Sequence, residues 1–488
     1  MSFSRKLTSG AAILGGGQLA RIVLTLLSTI VIARILLPED YGIMAMVAPI
    51  VALTSLFQEL GFSTATIQRK ELSEEEINAL FWFSQLATMA LSVALVLLSP
   101  LVGLFYGDPR PAYVTAATSL SLIVSGLSLQ QTALLNRDMK YGALSIADLA
   151  NAFAAFAVTL GAALAFRSYW ALVAGSFAGA AVQAVLCWNF SSWRPSRKPS
   201  IRAASSFLRF GGDMTAYNFL NFLVRNADNV LIARFAGGHA LGLYDRSYRL
   251  MTMPMQNLNG PLWRLLLPAL SRLVDDRERY RSAFLIPLQL LLLAMMPAFA
   301  LATVLSDRVI VFLLGEAWGE AGGIFFWLAL AGMFQPLSNL CGLLMVSHGR
   351  SGDMLRWGVF AAITTLGGFL AGLHFAGALG VAASIFFVGT LRAPLLYALA
   401  ARATPVRQRD LYLACAAPLA GGAVGAALTI PLAHLPTAPL LIVCGTAAYG
   451  TALLGCLATA QGRKAILHVV EAILHRLQTI GPARNADA

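Results

Sequence analysis

The chain is a near-continuous succession of long apolar runs, and the polar segments between them are too short to fold by themselves. The runs lie near residues 11–35, 41–63, 77–100, 111–134, 143–166, 169–191, 207–235, 241–271, 283–305, 322–347, 355–376, 378–400, 411–433 and 438–460. Crossing the hydrocarbon core takes roughly 20 mostly apolar helical residues. Backbone amides in lipid must be paired within the segment or in a closed barrel. The runs are continuous and do not alternate with period two, which selects helices. The fold class read from the sequence is therefore all-α: a polytopic membrane protein of about 14 transmembrane helices. Composition agrees, with 58% hydrophobic and 12% charged residues among 488, against about 25% charged in soluble domains. The first run carries Arg21 and exceeds a signal peptide in length, so it reads as the first span.

The formal net charge of +12 points to orientation and not to nucleic acid. With the N-terminus inside, 23 of the 35 Lys and Arg residues fall on cytoplasmic segments and five on outside ends and loops. That asymmetry is the positive-inside rule, and it predicts an inner-membrane, multi-pass protein with both termini cytoplasmic. The five cysteines, Cys187, Cys341, Cys415, Cys444 and Cys456, all sit in apolar spans without a CxxC pair and read as small buried hydrophobes. The histidines form no metal-ligand constellation, and no GxxxxGK[ST] phosphate loop is present. No metal and no cofactor are expected.

The basic, proline-containing segment 193–206 reads as a linker between two halves. The expected organisation is an N-terminal lobe over 1–192, this linker, and a C-terminal lobe over 207–402. Two further spans follow in 403–462, read as lipid-facing additions, then an amphipathic cytoplasmic tail in 463–488. A repeat supports the division. Shifted by 200 residues, Gln18–Gly42 falls on Asn218–Gly242 without a gap, with Ile32-Ala33-Arg34 on Ile232-Ala233-Arg234 and Gly42 on Gly242. Gln18, Arg21, Thr25, Ser28 and Thr29 take the offsets of Asn218, Asn221, Arg225, Asp228 and Asn229. At about 100° per residue each set lies on one helix face. Lipid penalises such a stripe, so it should face protein or water. Six spans separate the two copies, which makes the repeat parallel: two six-helix lobes around a central cavity.

Seven arginines fall within spans: Arg21, Arg209, Arg225, Arg246, Arg249, Arg264 and Arg392. The carboxylates singled out within spans are Glu59, Asp148, Asp213 and Asp228. A charge at mid-bilayer costs at least about 2.5–3.5 kcal/mol on insertion scales, so each calls for a role or a partner. Arg209, Asp213, Glu59 and Asp148 lie near span ends, where snorkelling competes; Arg21, Arg225 and Asp228 are deeper. A guanidinium forks onto phosphate oxygens. A cavity lined by Gln18, Arg21, Asn218, Asn221, Arg225, Asp228, Arg246, Arg249 and Arg264 would suit a substrate bearing phosphate or pyrophosphate. A structural i,i+3 ion pair is the competing reading of Arg225 and Asp228. For ion-gradient coupling the candidate carriers are Asp228 and then Asp148. The eighth span holds Pro254, Pro261 and Pro268 with Gly260, a pattern that predicts a kinked helix, either a gate or a static bend.

Several segments resemble the polysaccharide-exporter branch of the MOP superfamily: ARILLPEDYGIMAM (Ala33–Met46), GFSTATIQRKELSEEE (Gly61–Glu76), FYGDP (Phe105–Pro109), ALLNRDMKY (Ala133–Tyr141), WALVAG (Trp170–Gly175), RNADNVLIARFAG (Arg225–Gly237), LGLYDRSYRL (Leu241–Leu250) and PALSRLVDD (Pro268–Asp276). The set is most similar to the Wzx-type, colanic-acid-exporter-like flippases. The resemblance implies a flippase for undecaprenyl-pyrophosphate-linked oligosaccharide repeat units, serving extracellular, capsular or O-antigen polysaccharide synthesis by alternating access. It implies no enzyme activity, membrane lipids as surroundings, and partners among the polymerase and glycosyltransferases of the pathway. Two alternatives are a multidrug exporter of the same fold, which would favour acidic cavity residues, and a membrane glycan polymerase or ligase, which would need a large outside loop.

Overall fold

The computed structural model describes residues 3–59, 66, 73–196, 201–402, 404–459 and 462–467, with helix positions 3–15, 59, 201–221, 223 and 224 described by backbone alone. The described residues contain no strand. The helices are α1 (Phe3–Ala33), α2 (Pro38–Glu59), α3 (Glu74–Tyr106), α4 (Arg110–Arg137), α5 (Tyr141–Phe166), α6 (Trp170–Phe190), α7 (Ile201–Arg272), α8 (Arg277–Val304), α9 (Ser306–Leu314), α10 (Ala321–Ser347), α11 (Ser351–Ala401), α12 (Gln408–Leu428) and α13 (Thr437–Ala458).

Two of these are each broken once. The 72-residue α7 leaves helical geometry at Gly237 (φ 82°, ψ 177°). The 51-residue α11 does so at Ala376 and Gly377, the latter at φ 57°. Glycine enters positive φ without a Cβ clash, which allows an abrupt reversal. With α7 and α11 counted as pairs, every helical stretch except the nine-residue α9 falls on one of the runs read from the sequence. Eleven helices among the described residues are long and apolar enough to cross a membrane; α7, with most of the in-span charge, is not one of them. The backbone keeps helical dihedrals through Pro254, Pro261 and Pro268, and the break falls at Gly237. Of the expected tail, residues 463–467 are helical and the remainder lies outside the described residues, as do residues 197–200 of the linker.

The chain packs as two compact units, Met1–Asp245 with Leu313–Trp318, and Arg246–Phe312 with Gly319–Ala488. In the first unit α3 packs on α4, α5 on α6, α4 on α6, α1 on α5 and α2 on α4. A capping box opens α3: the Ser73 hydroxyl accepts from the Glu76 N–H at 3.2 Å, and the Glu76 carboxylate accepts from the Ser73 N–H at 3.0 Å. Gly107, at φ 72°, closes it. At the same end, Asp40 accepts from the backbone N–H groups of Leu37 (3.1 Å) and Tyr169 (2.9 Å), joining the α1–α2 and α5–α6 turns. Arg110 bridges Glu39 at 2.6 Å and Asp108 at 2.7 Å. Its hydrogen bond holds the Asp108 carboxyl below the usual carboxylate range. Trp318, fully buried, donates from Nε1 to the Ala33 carbonyl at 2.8 Å and meets Tyr41 edge-on at 5.4 Å.

The offset of 200 residues reappears in space within this unit. A Cβ placed on Gly42 would lie 1.8 Å from the Gly238 carbonyl oxygen, and one on Gly242 would lie 1.8 Å from the Pro38 carbonyl oxygen. Residue 42 meets 238 and residue 242 meets 38, the reciprocal pairing that twofold-related copies produce. Burial repeats with it: Ile32 and Ile232 are 3% and 0% exposed, and Ala33 and Ala233 are each 1%.

In the second unit α8 packs against α10, α12 and α13, α10 lies along α11, and α12 lies along α13. Small residues set the last contact, since a Cβ on Gly421 would come within 2.4 Å of the Ala448 carbonyl oxygen. Arg281 of α8 forks onto Asp410 of α12 at 2.9 and 2.5 Å. Asp410 also accepts the Arg407 N–H at 2.9 Å. Thus α12 is tied to α8, and its Tyr412, Cys415 and Leu419 line a cavity. All five cysteines are free and buried.

Candidate functional site

The polar face of α1 faces α5. Thr25 and Thr29 return their hydroxyls to the carbonyls one turn back, of Arg21 and Thr25, each at 2.8 Å. This satisfies them within the helix and leaves Gln18 and Arg21 as the reaching side chains. A Cβ on Gly17 would meet the Ser145 side chain at 3.1 Å, so α1 and α5 approach closely here. Arg21 Nη1 then stands 3.8 Å from Asp148 Oδ2, with the two side chains 51% and 42% exposed. Behind the carboxylate a relay of amides runs into α6. Gln183 Nε2 donates to Asp148 Oδ1 at 3.1 Å, and Asn151 Nδ2 donates to Gln183 Oε1. Asp148 thus has one oxygen fixed by Gln183 and the other turned to Arg21. The loose, half-exposed pair leaves guanidinium donors open to an anion.

In α7 the arrangement differs. Arg225 is exposed, whereas Asp228 is 4% exposed. The Asp228 carboxylate accepts from the Tyr244 hydroxyl at 2.7 Å and the Asn229 N–H at 2.9 Å. Its bond to Tyr244 spans the break at Gly237, so Asp228 joins the two arms of α7 instead of pairing with Arg225 three residues away. Asn226, on the same helix, donates to the Phe222 carbonyl at 2.9 Å. The side chains of Asn218 and Asn221 lie outside the described residues. Arg246, Arg249 and Arg264 belong to the second unit; Arg249 and Arg264 are exposed and Arg246 is partly so. Eighteen residues is about five helical turns, which puts Arg246 and Arg264 on one face of the second arm.

The structure therefore brings together two residues that were candidates for separate roles, Arg21 and Asp148. It adds Gln183, Asn151 and Tyr244, which the sequence reading passed over. Gln183 and Asn151 carried a signal, being isolated amides in otherwise apolar spans. Tyr244 carried none, because a tyrosine is ordinary in such a segment. Among the described residues no group of His, Cys, Asp and Glu is arranged to hold a metal ion.

A family model described as "Polysaccharide biosynthesis protein" matches residues 31–322. The lipopolysaccharide biosynthesis protein WzxC of Escherichia coli (strain K12) is 27% identical over 399 residues, 81% of each chain. The teichuronic acid biosynthesis protein TuaB of Bacillus subtilis (strain 168) is 25% identical over 319 residues, 63% of this chain and 66% of that one. The succinoglycan biosynthesis transport protein ExoT of Rhizobium meliloti (strain 1021) is 22% identical over 338 residues, 69% of this chain and 68% of that one. Among solved structures, the lipid II flippase MurJ in an inward closed conformation superposes with a TM-score of 0.71 at 12% identity, covering 92% of this chain and 98% of that one. An inward-facing multidrug MATE transporter of the MOP superfamily superposes with a TM-score of 0.60 at 13% identity, covering 77% and 95%. At such identities the two superpositions establish the fold.

Proposed function

Because the chain belongs to the polysaccharide biosynthesis protein family, in the polysaccharide-exporter branch of the MOP superfamily, we propose that it flips a lipid-linked oligosaccharide across the bacterial inner membrane. The substrate is an undecaprenyl-pyrophosphate-linked repeat unit for extracellular, capsular or O-antigen polysaccharide. It moves by alternating access, without catalysis by this chain. Both termini face the cytoplasm, and the polymerase and glycosyltransferases of the pathway are the expected partners. The relatives support this reading through the roles their names carry, in lipopolysaccharide and teichuronic acid biosynthesis and in succinoglycan transport.

The observation that carries it is the half-exposed Arg21 beside Asp148. A membrane-embedded guanidinium held loosely by a carboxylate at 3.8 Å can exchange that partner for a pyrophosphate or an acidic sugar, since bidentate phosphate contacts are the stronger ones. Arg225, exposed at the equivalent region of the repeat, is the second contact, with Gln18, Asn218, Asn221, Arg246, Arg249 and Arg264 as further candidate contacts. Asp148 is the better-placed residue for ion coupling. Asp228, engaged by Tyr244, is assigned the structural task of joining the arms of α7. The test is a deletion strain complemented with Arg21→Ala or Arg225→Ala at matched protein levels. Loss of surface polymer in both supports the assignment. Full export from both refutes the site, and undiminished export in the deletion strain itself refutes the function.

A further inference from the structure

The second unit contains a cavity of about 460 Å³, distinct from the polar face of α1. Its wall is formed by α10, the second arm of α11, and α12, with Trp357 from the first arm of α11 and Met251 from α7. Five aromatic rings contribute to it, Phe334, Trp357, Phe386, Tyr397 and Tyr412. Arg392 is the one charged residue in the lining. Arg392 is partly buried, and through Nη1 it donates to the Ala361 carbonyl at 3.0 Å and the Thr365 hydroxyl at 2.7 Å. A third, longer contact from the same nitrogen reaches Thr364 at 3.4 Å. All three acceptors are neutral. Among the described residues no carboxylate lies within ion-pair distance of this guanidinium, and Nη2 and Nε are left for another acceptor. A cation in the hydrocarbon region without a counter-charge is costly, and an anion in the cavity would remove that cost.

The depth of the cavity indicates what kind of anion. At about 1.5 Å per residue, Arg392 lies about 14 Å from the Ala401 end of α11, Trp357 about 9 Å from the Ser351 end, and Tyr412 about 6 Å from the start of α12. These ends are adjacent: Arg350 donates to the carbonyls of Arg402 and Leu399. They carry Arg350, Arg356, Arg402, Arg407 and Arg409, the basic side of the membrane. The site is thus within reach of the headgroups of one leaflet, walled by rings that suit the upper part of an acyl chain. The lining also offers the amides of Gln335 and Asn339 and the Ser338 hydroxyl; Gln335 Oε1 is buried without a partner. A free phosphate ion would leave the aromatic wall unused, whereas a lipid uses both.

We propose that this cavity is a binding site for an anionic phospholipid of the cytoplasmic leaflet, with its phosphate on Arg392 and its glycerol and upper chain along Phe334, Trp357 and Phe386. The site is independent of the substrate contacts assigned above.

The test uses delipidated full-length protein in detergent, with lipid binding followed by native mass spectrometry. Wild-type protein should bind phosphatidylglycerol saturably and at least tenfold more tightly than phosphatidylethanolamine. Arg392→Gln, which keeps a donor for the Ala361 carbonyl, should lose most of that preference, and Arg392→Lys should keep part of it. Gly389→Phe supplies a variant that leaves the arginine in place. Gly389 lines the cavity and a Cβ there meets nothing within 4 Å, so the ring can fill the space; it should abolish the preference as Arg392→Gln does. Unchanged phosphatidylglycerol preference in Gly389→Phe, or in a monodisperse Arg392→Gln, overturns the proposal. Displacement of the lipid by millimolar inorganic phosphate would mark a free-anion site and overturn the lipid assignment. Tighter binding of a polyprenyl diphosphate than of phosphatidylglycerol would reassign the site to substrate and overturn it as well.

Discussion

Gly42 and Gly242 offer the sharpest perturbation. A methyl group at either position would start 1.8 Å from a backbone carbonyl oxygen, and ordinary contact begins near 3.4 Å, so the backbones must part by about 1.6 Å. The obstructing atom is main chain, so no rotamer change relieves it. Overpacking of this kind costs about 1–3 kcal/mol, equivalent to a shift of about 5- to 150-fold in the equilibrium between the packed and parted arrangements. Gly42→Ala and Gly242→Ala wedge the same reciprocal contact. Once one has parted it the other meets less resistance, so the double variant should cost clearly less than the sum of the two. Two measurements read the effect. Thermal unfolding can be followed with a thiol-reactive dye, because all five native cysteines are buried; each single variant should melt lower than wild type. In cells, Ala45→Cys, at a position 2% exposed, should resist a membrane-impermeant maleimide in the parent background and react about 5- to 150-fold faster with Gly42→Ala. Wild-type melting and wild-type protection of the Ala45→Cys thiol in the double variant would refute the reciprocal contact. Strictly additive losses would refute the claim that the two glycines act at one interface.

Three further outcomes are expected. Arg21→Ala and Asp148→Asn should each change stability by less than about 1 kcal/mol, because a half-exposed pair at 3.8 Å is weak, while surface polymer falls at least tenfold for Arg21→Ala; thermal melts and polymer quantification separate the two effects. Asp410→Ala removes both the fork to Arg281 and the acceptor for Arg407, leaving a half-exposed guanidinium unpaired, and should cost about 2 kcal/mol, whereas Asp410→Asn should cost less in the same melt. His348 lies in the turn between α10 and α11, its Nδ1 3.2 Å from the Tyr280 hydroxyl; burial pushes its ring below the ordinary histidine value, aided by Arg350. The unfolded chain then binds the proton first, so this contribution to stability is present above about pH 6.5 and is lost as pH falls through the folded value. Melting temperature should drop between pH 7.5 and 5.5, and the drop should shrink in His348→Asn.

Much of this protein was legible before any packing was known. The number, length and helical character of the spans follow from the transfer of each segment into lipid, a local property of its own residues. The same holds for the charge asymmetry of the loops. The repeat was legible because Gly42 and Gly242 are fixed by what the backbone must do there, even though little else in the two copies is identical. What the sequence left open was the partner of each polar side chain. Asp228 has Arg225 three residues away and binds Tyr244 instead. Arg21 meets Asp148 from a different helix. Arg392 faces a cavity built partly by α12. The reason is physical. In lipid every apolar face is equally well solvated by chains or by neighbouring helices, so hydrophobicity sets depth and does not choose neighbours. That choice rests on close approach at small residues and on hydrogen bonds between helices, and these exist only once the helices are packed.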